Sequence, residues 1–180
     1  MSRAVFEVEQ SGQIPTCIDI GVLASRKGDF QTARQMFRTA IRQLKGHANK
    51  QPCLLELISR IGKSYFNEGH YDQAGSWYRR ALQVSERFYG ANTLQAACIM
   101  ARLADLHVLQ RDLSGFEKAF DDIERIYLLS QERDTHQLLR LLIDLAWTLC
   151  IYAHPIEARR VNAFVAHIML EEADSAARQD

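Results

Sequence analysis

Apolar positions recur along most of the chain at three- and four-residue steps. Leu54, Leu57, Ile58, Ile61 and Tyr65 fall on one helical face, and Tyr71, Ala74, Tyr78, Ala81 and Leu82 fall on another. Gly69-His70 separates the two runs, and glycine accepts the left-handed conformation that ends a helix. The pattern predicts two antiparallel helices joined by a short turn. Pro155 is placed to open a last helix, where its missing N–H costs nothing. Asn92 or Thr93 is placed to cap a fifth helix, and Asp112 a sixth.

The hairpin returns at a fixed spacing. Gly28-Asp29-Phe30, with Ala33, Phe37, Ala40 and Ile41, aligns with Gly69-His70-Tyr71, with Ala74, Tyr78, Ala81 and Leu82. Arg111-Asp112-Leu113 follows with Phe116, Phe120 and Ile123, then Ala153-His154-Pro155 with Ala158, Asn162 and Val165. The offsets are 41, 42 and 42 residues. Upstream, Ile20-Gly21, Ile61-Gly62, Leu103-Ala104 and Leu145-Ala146 keep the same phase, each a large apolar residue before a small one. Small residues such as Gly21, Ala33, Gly62, Ala74 and Ala104 let paired helices approach, and aromatics such as Phe30, Phe37, Tyr65, Tyr71 and Tyr78 fill the space between pairs. One hairpin cannot bury both of its faces, so neighbours must stack. An up-and-down bundle has no reason to keep such a phase. The expected fold is an all-α solenoid of about four helix-turn-helix repeats, about eight antiparallel helices in all.

Composition agrees with this picture and narrows the function. A chain of 180 residues with 47% apolar and 24% charged side chains is long enough for one domain with a full core. Residues 138–153, the most apolar stretch, are interrupted by Arg140 and Asp144, so no membrane span is expected. Glu7 and Glu9 stand where a secretory signal would be apolar. Cys17, Cys53, Cys98 and Cys150 form no C-x-x-C pair and suit a reducing cytoplasm, the expected location. Basic and acidic residues balance at 22 each, which argues against a nucleic-acid partner. That balance hides a gradient, with 13 basic against 8 acidic residues in 1–100 and 9 against 14 in 101–180. It reads equally as a directional docking field or as scattered solvated charge.

Residues Ile61-Gly62, Tyr65, Gly69-His70-Tyr71, Ala74, Tyr78 and Ala81-Leu82, with their counterparts from Gly28 to Ile41, resemble the tetratricopeptide repeat. The long period is similar to the kinesin-light-chain variety of that family, as are Trp77-Tyr78-Arg79-Arg80-Ala81-Leu82 and the linker from Glu86 to Asn92. Asn92-Thr93-Leu94 stands where the kinesin-type linker has an acidic-histidine-proline run, and Phe116 where the family expects alanine, with Gly115 beside it to supply the close contact. The resemblance covers about residues 14–173, in repeats of about 14–46, 54–88, 94–130 and 136–173. An N-terminal extension, 1–13, and a polar C-terminal tail, 174–180, flank them. It implies a right-handed superhelix whose first helices line a concave groove that binds another protein. Ile18 and Val22 stand where one class of the family grips a carboxylate, so that clamp is not expected.

Under that resemblance the groove residues are Asp19 and Arg26 in the first repeat and Arg60, Lys63, Phe66 and Asn67 in the second. Arg102, Asp105 and Val108 follow in the third, and Asp144 and Trp147 in the fourth. Arg60, Lys63 and Arg102 beside Phe66, Val108 and Trp147 suit a peptide or helix with an acidic residue next to an apolar anchor. The competing reading pairs the arginines with groove aspartates and buries Trp147 in the last hairpin.

No phosphate-cradle, dinucleotide, zincin or nucleophile-elbow string occurs, and the six histidines show no metal spacing, so neither an enzyme, a cofactor nor a metal is expected. His107 takes a packing position, and Asp121-Asp122-Glu124, at one-residue steps that do not converge, is expected to be a solvated face. The expected function is a non-catalytic adaptor or scaffold, the alternative a cytoplasmic chaperone for a secreted or assembling client. Ala4, Val5, Phe6 and Val8 are apolar enough to fold back, reach a neighbour or dimerise. A monomer or weak homodimer is expected.

Overall fold

The structure, a computed structural model, describes residues 16–44, 51–130 and 134–177. The expected extension 1–13 lies outside these residues. Every described element is a helix or a turn: α1 (16–26), α2 (Phe30–Leu44), α3 (Gln51–Asn67), α4 (Tyr71–Tyr89), α5 (Leu94–Leu109), α6 (Leu113–Leu129), α7 (His136–Ile151) and α8 (Pro155–Ala177). The fold is an all-α solenoid of helical hairpins. Its described residues form two compact units, one ending at Val84 and the other beginning at Ser85.

The turns obey the repeat even where the sequence does not supply glycine. Gly28 and Gly69 have φ of 79° and 78°, and the positions in the same phase, Arg111 and Ala153, have φ of 60° and 62°. A left-handed L-residue costs about 1–2 kcal/mol, so stacking imposes this turn on two residues that do not favour it. After each such turn the next helix begins within two residues. Asp112 caps α6 by accepting from the Gly115 N–H at 2.9 Å, which draws the Asp112 carboxyl below its usual range. Of the two candidates for α5, Thr93 is the cap, accepting from Ala96 N–H at 3.3 Å.

In the first unit the close approaches are at glycine. A Cβ on Gly21 would stand 2.5 Å from the Phe37 ring, and one on Gly62 would stand 2.6 Å from the Tyr78 ring. Those rings are therefore seated against bare backbone, α2 on α1 and α4 on α3. Ala24, Ala33, Phe37, Ala40, Leu44, Leu57 and Ile61 form one buried cluster of this unit. Arg34 ties α2 to α3 by an ion pair with Glu68 and lies 4.3 Å over the Tyr65 ring. Arg38 donates to Tyr65 Oη at 2.8 Å.

The second unit stacks two hairpins. First helices α5 and α7 pack side by side, and each packs on its own second helix, α6 or α8. Phe116 and Phe120 are fully buried, and the Phe164 ring meets Phe120 and Tyr127 edge-on. One expectation needs correcting here. Asp121-Asp122-Glu124 is no free solvated face, because Glu117, Asp121 and Glu124 recur at four- and three-residue steps and so converge. Arg160 of α8 takes all three at 2.5–2.6 Å, while Arg125 takes Asp122 at 2.6 Å. His107 takes its expected packing position, its Nδ1 2.8 Å from Asp112 Oδ2, and Gly115 supplies the close contact of α6 on α5, since a Cβ there would clash with that same Nδ1.

Candidate functional site

The expected groove residues fall into two groups, one in each unit. In the first unit Asp19 and Arg26 are exposed on α1, and Lys63 and Asn67 are exposed on α3. Arg60 is half exposed, but its guanidinium is held within α3 by Glu56 at 2.5 and 2.9 Å. The partner is thus neither Asp19, Asp105 nor Asp144, but a glutamate one turn earlier, the favourable order for a helical ion pair. Phe66 is half-buried, its ring 5.9 Å from that of Tyr71.

The second unit brings three of the named residues together, with Thr148 beside them. Asp105 of α5 faces α7, where Asp144 and Thr148 occupy successive turns, and Arg102 lies one turn back on α5. Burial raises the Asp105 carboxyl to about 6. The Thr148 hydroxyl opposes that rise, Asp144 adds to it by repulsion, and Arg102 draws it down. Asp105 Oδ1 is buried without a hydrogen-bond partner. Thr148 was not singled out by the sequence. The signal available was its place four residues after Asp144, which brings both to the same side of α7.

Trp147 is the dominant surface feature of this group. It is 70% exposed, with Ile143 and Ile151, 52% and 64% exposed, one turn to either side. Together with exposed Arg140 and Asp144 they make a continuous face of α7 on which apolar and charged side chains alternate. Trp147 is therefore not core of the last hairpin. Val108, by contrast, does not line any surface: it is fully buried, on the helix, α5, against which both α6 and α7 pack. It belongs to the core and leaves the site. No helix among the described residues is long and apolar enough to cross a membrane, and no three His, Cys, Asp or Glu side chains among them are grouped to hold a metal ion.

Comparison with known proteins fits this geometry. Residues 53–115, spanning α3 to the start of α6, match the tetratricopeptide repeat family. The match spans 63 of the chain's 180 residues. Among solved structures the chain is similar to BtubC (BKLC) from P. vanneervenii, with a TM-score of 0.66 and 16% identity over 91% of this chain and 72% of that one. That likeness extends the fold of helical hairpins well beyond the matched segment. No curated protein matches the chain. The repeat family supports a role in protein–protein interaction.

Proposed function

We propose that the protein is a non-catalytic adaptor, and that the exposed face of α7 with the adjoining edge of α5 holds a peptide segment or helix of another protein. The observation that carries this reading is Trp147, held in the open between Ile143 and Ile151. Large apolar side chains in such a row are the surface an interface core uses, and tryptophan is among the residues that most often dominate binding. Arg140 at one end of the row, with Arg102 beside Asp105, favours a partner that sets an acidic residue near an aromatic or aliphatic anchor. A chaperone would be served by an unbroken apolar face, whereas Arg140 and Asp144 interrupt this one. Charge selectivity therefore favours the adaptor, acting in the cytoplasm.

Affinity capture from the native cell tests the reading. Trp147→Ala should weaken recovery of the partner at least about tenfold, the loss expected of a central aromatic anchor, with helicity unchanged. Arg102→Glu reports the charge contribution. A partner retained equally by both of these variants would remove the groove as its site.

A further inference from the structure

A second exposed apolar face lies on α8, and the repeat itself shows what such a face is built to meet. On α6, the side of the helix carrying positions 117, 121, 124 and 127 is covered by α8. Arg160 binds Glu117, Asp121 and Glu124, while Tyr127 donates to Glu171 and meets the Phe164 ring. One period of 42 residues later, the same phase on α8 is Arg159, Ala163, Ala166 and Met169, all exposed. Where α6 meets its neighbour through three carboxylates and a tyrosine, α8 presents two alanines and a methionine. Ile156, Met169 and Leu170, at 72%, 55% and 66% exposure, extend that surface along the helix.

The arrangement is symmetric about one residue. Ile156 lies seven positions before Ala163 and Leu170 seven positions after it, so all three share one side of the helix, drifting only about 20° per heptad. We propose that this face of α8 is a two-fold interface with a second copy of the chain, the two α8 helices antiparallel and crossing at Ala163. A small side chain at the crossing lets the axes approach. The antiparallel sense sets Ile156 of each copy against Leu170 of the other, giving the same contact twice, as a two-fold interface requires. Charge selects the same sense. Exposed Arg159 lies near the Ile156 end, and exposed Asp174 lies near the Leu170 end. Antiparallel helices place opposite charges at each end of the contact, whereas parallel helices place like beside like. This interface uses none of the residues assigned to the α7 face.

Sedimentation velocity on the full chain between about 1 and 100 µM reads the equilibrium directly. The wild-type protein is expected to pass from monomer to dimer in that range. Ala163→Arg, an exposed substitution by a good helix former, should raise the dissociation constant at least about tenfold with helicity unchanged. The register has its own readout. In a Cys150→Ser background, Ala163→Cys should form a disulfide-linked dimer on copper-phenanthroline oxidation. Ile156→Cys should form one only when mixed with Leu170→Cys. A wild-type chain that stays monomeric throughout, assemblies larger than a dimer, or a dimer that Ala163→Arg leaves intact would each overturn the proposal.

Discussion

Replacing Asp105 by Asn should stabilise the protein at neutral pH, although Asp105 lies among the residues assigned to binding. The carboxyl is raised from 3.8 to about 6, first by burial and then by Asp144, against the pull of Thr148 and Arg102. A carboxyl whose folded value lies above its unfolded value holds its proton more tightly in the folded chain. Its contribution to stability is therefore fully present below the unfolded value and is lost as pH rises through the folded one. A rise of roughly two units, at 1.36 kcal/mol each, corresponds to about 3 kcal/mol lost between acid and neutral pH. Asn keeps the shape and an acceptor for Thr148 while removing the charge. Asp105→Asn should thus gain up to about 3 kcal/mol over wild type at pH 7 and almost nothing at pH 4. Urea unfolding of both proteins at pH 4, 5, 6 and 7 measures this, since the other carboxyls cancel in the difference. A variant less stable than wild type at pH 7, or a difference that does not change with pH, would refute the reasoning.

Gly62→Ala would place a Cβ 2.6 Å from the Tyr78 ring and should cost about 1–3 kcal/mol in urea unfolding. Ala153→Gly relieves a φ of 62° and should gain about 0.5–1 kcal/mol after glycine's greater freedom in the unfolded chain is counted, visible as a higher urea midpoint. Arg160→Met leaves Glu117, Asp121 and Glu124 facing one another without their shared cation. It should lower stability by about 1 kcal/mol, with a deficit that shrinks in high salt.

The period carried most of the fold into view before any coordinates. Phase alone located the left-handed turns, including those at Arg111 and Ala153, where residue type gives no hint. It did not locate the ring-on-glycine contacts of Phe37 and Tyr78, which lie within a hairpin, whereas those rings were expected in the space between pairs. The surface was less legible, because phase fixes a residue's angle about its own helix and not what its neighbours cover. Phe66, Val108 and Cys150 share one phase, yet they are half-buried, buried and exposed in turn. Side-chain partners were hidden for a related reason. Long arginines choose among several acids within reach, and local geometry decides: Arg60 turned to Glu56 on its own helix, while Arg160 crossed to α6. The pattern at 117, 121 and 124 was readable as one acidic face, but the cation that binds it comes from another repeat.

A photo-crosslinking residue placed at position 147, with the same residue at exposed position 118 of α6 as reference, tests the binding face in the native cell. The account predicts a discrete covalent adduct with another polypeptide from 147 and none from 118. Adducts absent at 147, or formed equally from both positions, would contradict it.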